Sequence, residues 1–263
     1  MDFLHIARLY HGVFGLHLVY LYKVQKRSAF TFSVRSCRFS REILAEILKI
    51  GVPTLLFQLL ASLSIGMTNS AAKVYGASAL AAMGPVTKVL SVGALAVFGF
   101  LKGFQPVAGF SYGAGQLARL REAVRTAVLW STVFCVLFGL TAALFAPQIM
   151  SLFTRGDAGM VRTGTAALRA GGLSFSLFGF YTVYSFLFLA MGRAVEGCIL
   201  GACRQGLCFV PVILILPALQ GLSGVLYAQP AADVLSAAAA ALMALRLRRE
   251  LEASEASAQP REG

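Results

Sequence analysis

Long apolar runs separated by short polar or basic clusters divide this chain more sharply than any motif does. A helix needs about 20 apolar residues to cross the hydrocarbon core of a bilayer. Six runs meet that length: Ile50–Ala72, Val86–Phe110, Thr126–Phe153, Leu168–Gly192, Gly197–Leu219 and Leu222–Leu245. An earlier run, Leu9–Tyr22, falls short of it. The pattern predicts an all-α integral membrane protein. A six-transmembrane-helix bundle over residues 50–245 is preceded by a partial helix within 1–22 and a basic linker over 23–49, and followed by a charged tail over 246–263. Within the linker, Arg41–Lys49 sets Ile43, Leu44, Ile47 and Leu48 on one side, the pattern of a short helix lying on a membrane surface. The tail is expected to be disordered past Leu251, because charged and polar residues replace apolar ones.

Composition agrees. The chain has 263 residues, 58% of them hydrophobic and only 13% charged, where a soluble domain carries about 25%. The net charge of +12 would suggest nucleic acid in a soluble protein. Here the cations gather between the apolar runs, so no nucleic-acid partner is expected and topology accounts for them. Lys23, Lys26, Arg27, Arg35, Arg38, Arg41 and Lys49 precede the first span, and Arg119, Arg121 and Arg125 follow the second. Arg193 follows the fourth, and Arg246, Arg248 and Arg249 follow the sixth. The opposite side holds Lys73, Lys88, Arg155, Arg162 and Arg169. Basic loops stay on the cytoplasmic side. The linker and C-terminus of a multi-pass protein of the cell membrane are therefore expected there. Cys37, Cys135, Cys198, Cys203 and Cys208 show no disulfide or metal framework, and His5, His11 and His17 are spread around a helix. No metal or cofactor is expected.

The stretch FGFLKGFQPVAGFSYGAG, Phe98–Gly115, departs from a plain anchor: it carries Lys102, Gln105, Tyr112, five glycines and Pro106. Polar and helix-loosening residues persist at membrane depth where protein or a water-filled cavity surrounds them. Gln105–Pro106 is the expected bend. Glycine and serine pairs at four-residue spacing, Gly99 with Gly103, Gly109 with Gly113, Gly197 with Gly201 and Gly66 with Ser70, suggest close helix approach.

Lys102, Arg204 and Asp233 lie well inside spans. A charge at the bilayer centre costs about 2.5–3.5 kcal/mol on insertion scales, so it is usually paired or functional. Counted from the cytoplasmic ends, Arg204 and Asp233 differ in depth by roughly 8 Å, at 1.5 Å per residue. That is within reach of an arginine side chain, and two readings stand: a pair that joins two helices, or a charge that binds substrate or a coupling ion. Lys102 reads as snorkelling to the headgroups. Gln58, Asn69, Gln105, Gln205 and Gln229 bond across helices or line a cavity, and Tyr112 marks the inner mouth of its helix. In the aromatic run Ser174–Phe186, Tyr181 and its neighbours pack or face lipid, or line a pocket for organic cations. Neither an HExxH motif nor a Walker loop occurs, and no enzyme activity is expected.

The ordered set GVPTLLFQLLASLSIGMTNSAAKVYG, ALAAMGPVTKV, FGFLKGFQPVAGFSYGAG, REAVRTAVLWSTVF, APQIMSLFTR, LAMGRA, CRQGLCFVPVILILP and AQPAADVLS resembles the second half of multidrug and toxic compound extrusion (MATE) transporters, over about Ile43–Leu245. The resemblance implies one of two six-helix lobes of a secondary-active exporter. Such an exporter moves drugs or organic cations by alternating access, driven by a proton or sodium gradient. Residues 1–22 would match the end of the preceding lobe, which is expected to be missing by truncation or replaced by a second copy. Some family members carry acids midway along the first and fourth helices of this lobe. Here Ala61 and Phe180 stand near those positions, and Lys102 stands where an uncharged polar residue is expected. The alternative is a non-transporting bundle, a degenerate remnant or a half-transporter subunit that needs a partner lobe.

Overall fold

The computed structural model describes residues 40–153 and 157–258, with Gly15 and Tyr20. Apart from those two, the expected partial helix and the linker up to residue 39 lie outside the described residues, with His5, His11, His17 and Cys37. The chain divides into two units, Met1–Leu48 and Lys49–Gly263, and the packed helices belong to the second. Every described element is helical: α1 Arg41–Lys73, which begins in the first unit, α2 Ala77–Gly113, α3 Leu117–Leu144, α4 Ala146–Phe153, α5 Ala158–Phe175, α6 Phe178–Ala190, α7 Ala194–Ala202, a π-helical turn Cys203–Leu207, α8 Phe209–Gln220 and α9 Leu222–Ala258.

Among the described residues, four helical stretches are long and apolar enough to span a membrane: Ala77–Gly113, Leu117–Leu144, Ala194–Gln220 and Leu222–Glu252. A fifth appears if α5 and α6, bent by 51° across Ser176 and Leu177, count as one. The expected first span lies within α1, which is not among them. Several expected boundaries change. Arg41–Lys49 is no separate surface helix but the first turns of α1. The third expected span stops at Leu144 and resumes as α4 after Phe145. The tail continues α9 to Ala258, because Leu, Glu and Ala are strong helix formers whatever their charge.

The burial pattern follows helical periodicity. In α2, Val97, Leu101, Phe104, Ala108 and Ser111 are buried at steps of three and four. Gly99, Lys102, Gly103 and Pro106 fall on the opposite, exposed face. α2 stays one helix through Pro85 and Pro106. The glycine pairs are corrected in part: a Cβ at Gly66, Gly99, Gly103 or Gly113 would meet nothing, whereas one at Gly109 would touch the Ala190 carbonyl and one at Gly197 would meet Leu189 and the Ser185 carbonyl. A tight seam lies elsewhere. α3 and α5 bring Gly139 and Gly172 together, each facing the other's carbonyl oxygen. At Gly221, φ of 63° lets α8 turn back into α9 through a single residue.

Two hydrophobic clusters form the core. One joins Leu101, Phe104, Phe175, Phe178 and Leu187; the other joins Met83, Met150, Leu168, Phe209 and Ile213. α6 is central to the first and packs against α2, α3, α7 and α9. Its aromatics therefore build core. Phe178 stacks on Phe175 with ring centroids 4.9 Å apart, and meets Tyr181 edge-on at 5.5 Å.

Candidate functional site

Two helical spans lose regularity and a third carries a proline, and the buried charge pair stands among them. α5 gives way to α6 at Ser176–Leu177. The span holding α7 and α8 passes through the π turn Cys203–Leu207, where Cys208 N donates to the Cys203 carbonyl at 2.9 Å. α9 carries Pro230. A π turn widens the helix by one residue and commonly re-aims side chains at functional sites. Here it holds Arg204 and Gln205, and the Gln205 carbonyl accepts from the hydroxyl of Ser64 on α1.

Asp233 is 1% exposed. Its Oδ1 accepts from Arg204 Nε at 2.9 Å and from Gln229 Nε2 at 3.1 Å. Its Oδ2 accepts from Ser174 Oγ at 2.8 Å. Arg204 also lies over the Phe178 ring, 4.9 Å from its centroid. The carboxylate is thus neutralised by one cation and capped by two neutral donors, the conditions under which a buried ion pair can persist.

Two cavities flank Arg204. One, of about 170 Å³, is lined by Ser64, Asn69, Thr87, Arg204, Gln205 and Gln229 among others. The second, of about 290 Å³, is lined by Gln58, Phe98, Phe178, Tyr181, Arg204 and Gln205 among others. Tyr181 is buried, and its hydroxyl has no hydrogen-bond partner among the described residues.

Of the residues that the sequence singles out, Gln58, Asn69, Tyr181, Arg204, Gln205, Gln229 and Asp233 converge here. Gln105 and Tyr112 line neither cavity, and Tyr112 packs beside the first core cluster. Lys102 is exposed, with Nζ 5.5 Å from the Phe186 ring centroid, a cation–π contact away from the cavities. Ser174 and Ser64 escape the sequence reading, because a serine in an apolar run carries no signal until its partner across the helix is known. Gly109–Gly113 spells GxSxG, the spacing of a hydrolase nucleophile elbow. Ser111 instead lies buried within the continuous α2, with no strand-to-helix turn to present it.

The family model described as MatE matches residues 53–215, more than half of the chain, and the chain belongs to that family. It is 25% identical over 236 residues to the multidrug export protein MepA of Staphylococcus saprophyticus, covering 90% of this chain and 52% of that protein. The MepA of Staphylococcus aureus strain N315 is 26% identical over 231 residues, covering 88% and 51%. Among solved structures, an outward-facing multidrug resistance MATE family transporter of the MOP superfamily superposes with a TM-score of 0.79 at 25% identity, covering 91% of this chain and 54% of that one. The Vibrio cholerae MATE transporter VcmN shares the fold, with a TM-score of 0.76 at 21% identity over 87% of this chain and 52% of that one. The chain spans about half the length of the curated relatives it matches.

Proposed function

We propose that this chain is the C-terminal lobe of a secondary-active multidrug exporter of the cell membrane, with its C-terminus in the cytoplasm. Transport is by alternating access, driven by a proton or sodium gradient, and the substrates are drugs or organic cations. The observation that carries this reading is the Arg204–Asp233 network beside two cavities that Arg204 lines, in a chain that matches about half the length of multidrug export proteins.

The lobe's contribution follows from its chemistry. Arg204, Gln58, Gln205 and the Tyr181 hydroxyl offer donors, and Phe98 and Phe178 offer aromatic faces. Asp233 is the acid of this network, and Arg204, Gln229 and Ser174 occupy its oxygens. The counter-charge for an organic cation therefore comes from the partner lobe, or from Asp233 when Arg204 swings away. A change at this contact alters the charge facing the cavities, and such a change can couple a bound ion to the direction of opening.

Ethidium efflux from cells lacking their own exporters tests the proposal. Cells carrying the gene with its upstream sequence should extrude the dye until a protonophore or sodium removal collapses the gradient. Cells making residues 1–263 alone should not. Efflux from residues 1–263 alone would replace a missing lobe with a second copy of this chain. Correct membrane insertion without efflux in either case would favour the non-transporting bundle.

A further inference from the structure

The π turn that carries Arg204 and Gln205 is bounded by two cysteines. Cys203 opens it and is buried, and Cys208, half-buried, follows it. Both are free thiols. Cys208 N donates to the Cys203 carbonyl at 2.9 Å, so two residues five apart in sequence stand one above the other. Their side chains follow, and the two thiols share a hydrogen bond.

The same helix holds a natural comparison. Cys198 and Cys203 have the same five-residue spacing, but ordinary α-helix lies between them, where Cys203 N donates to the Ile199 carbonyl four residues back. In such a helix, rise and rotation leave residues five apart roughly 9 Å from Cα to Cα and turned by about 140°. A disulfide needs Cα atoms about 4.4–6.8 Å apart, with side chains that point toward each other. Cys198 is therefore out of reach of Cys203, whereas the wide turn brings Cys208 to it. The turn is gripped at three other points. The Gln205 carbonyl accepts from Ser64, a Cβ at Gly206 would meet Leu60, and Arg204 binds Asp233. None of these holds is covalent.

We propose that Cys203 and Cys208 form an oxidisable dithiol, and that their disulfide locks the π turn beneath Arg204. The step needs a two-electron oxidant that enters the membrane, such as an uncharged azo compound or a quinone. With the azo compound diamide, the Cys208 sulfur adds to one nitrogen of the N=N bond and its proton goes to the other. The Cys203 sulfur then attacks the Cys208 sulfur, the S–N bond breaks and the S–S bond forms. Diamide leaves as its hydrazine, carrying both thiol protons and both electrons. Burial shields Cys203 from the oxidant, but contact with Cys208 makes the second displacement intramolecular. The closed bond excludes ordinary α-helix over this segment, which would draw the two Cα atoms too far apart. The backbone beneath Arg204 is then held in its present form until a thiol reductant reopens the bond.

Thiol counting on the full chain in detergent tests this, with two variants of equal cysteine content. C198S keeps the Cys203–Cys208 pair, and C208S keeps the Cys198–Cys203 pair at the same spacing. After diamide, quenching and denaturation, C198S should lose two maleimide-reactive thiols, and peptide mapping should join residues 203 and 208. C208S should lose its pair at least about tenfold more slowly, since α7 must distort before that bond can close. Amide deuterium exchange across residues 203–208 of oxidised C198S should slow at least about tenfold, the scale of closing so short a loop. Dithiothreitol should reverse the change. Equal thiol loss in the two variants overturns the proposal, because the turn then confers nothing. So does a C198S chain that keeps all its thiols. A disulfide that leaves exchange in the turn unchanged overturns it too, since the bond would lock nothing. None of these readouts involves transport, so this proposal and the exporter reading fail separately.

Discussion

The α3–α5 seam and the surroundings of Arg204 are built on opposite rules. At the seam, α3 is continuous from Leu117 to Leu144 and meets α5 through Gly139 and Gly172, backbone against backbone. At these two glycines the contact is a matter of shape. Around Arg204, a break and a π turn interrupt two spans, a third carries a proline, and three polar side chains converge on one carboxylate. The first arrangement has one way to fit. The second is held by polar side chains from three helices that meet on one carboxylate.

The heaviest blow to this contrast comes from Asp233→Leu. It leaves Arg204 buried without its partner and should cost about 3–5 kcal/mol, seen as a large fall in thermal midpoint by size-exclusion fluorescence. The double variant Arg204→Met/Asp233→Leu should recover most of that stability. If the double variant also transports normally in the complete exporter, the pair is a structural clamp, no more changeable than the seam. Gly172→Ala comes next. Its new Cβ would lie 2.7 Å from the Gly139 carbonyl oxygen, and overpacking of this kind costs about 1–3 kcal/mol. An unchanged midpoint would mean that the seam yields. Gly99→Ala and Gly103→Ala, on the open face of α2, should be neutral or raise stability by up to about 1 kcal/mol each, the helix-propensity gain of alanine over glycine. A loss at either position in the lobe alone would show that the open face is packed.

The smallest effect belongs to neither region. Asp157 caps α5: its Oδ1 accepts from Met160 N at 3.1 Å, and its Oδ2 from Ser78 Oγ at 2.7 Å. These hydrogen bonds, Ser78 foremost, hold its carboxyl below the usual carboxylate range. Its stabilising effect is therefore complete above the unfolded value of about 3.9 and disappears as pH falls through the depressed folded value. Asp157→Asn should lower the thermal midpoint slightly at neutral pH, with the difference from wild type vanishing in strong acid.

The sequence tells most where a residue is conspicuous by type. Arg204 and Asp233 stand out because a charge in an apolar run has few excuses, and their depths are close enough to suggest contact. Ser174, which completes the carboxylate's bonds, is illegible because hydroxyls in membrane helices usually bond their own i−4 carbonyl, as Thr182 and Ser236 do here. The glycine pairs mislead for a different reason. Spacing along one helix shows which residues share a face but not what lies opposite. Gly99 and Gly103 share the exposed face, whereas Gly139 and Gly172 meet across two helices and share no spacing. The helix ends are also misplaced by the apolar pattern. Apolar length marks the membrane, while hydrogen bonding ends the helix, and α9 runs past the one before it reaches the other.

The π turn makes an unusual genetic prediction about this segment. Removing one residue from a membrane helix normally rotates everything beyond it by about 100° and shortens the rod by about 1.5 Å. Within Cys203–Leu207 the same deletion would instead turn a wide loop of backbone into ordinary α-helix. α7 and α8 would then keep their faces, and only the orientation of Arg204 relative to Asp233 would be reset. The segment is thus a site where the gene can lose a codon and keep the fold, while losing the alignment on which the charge pair depends.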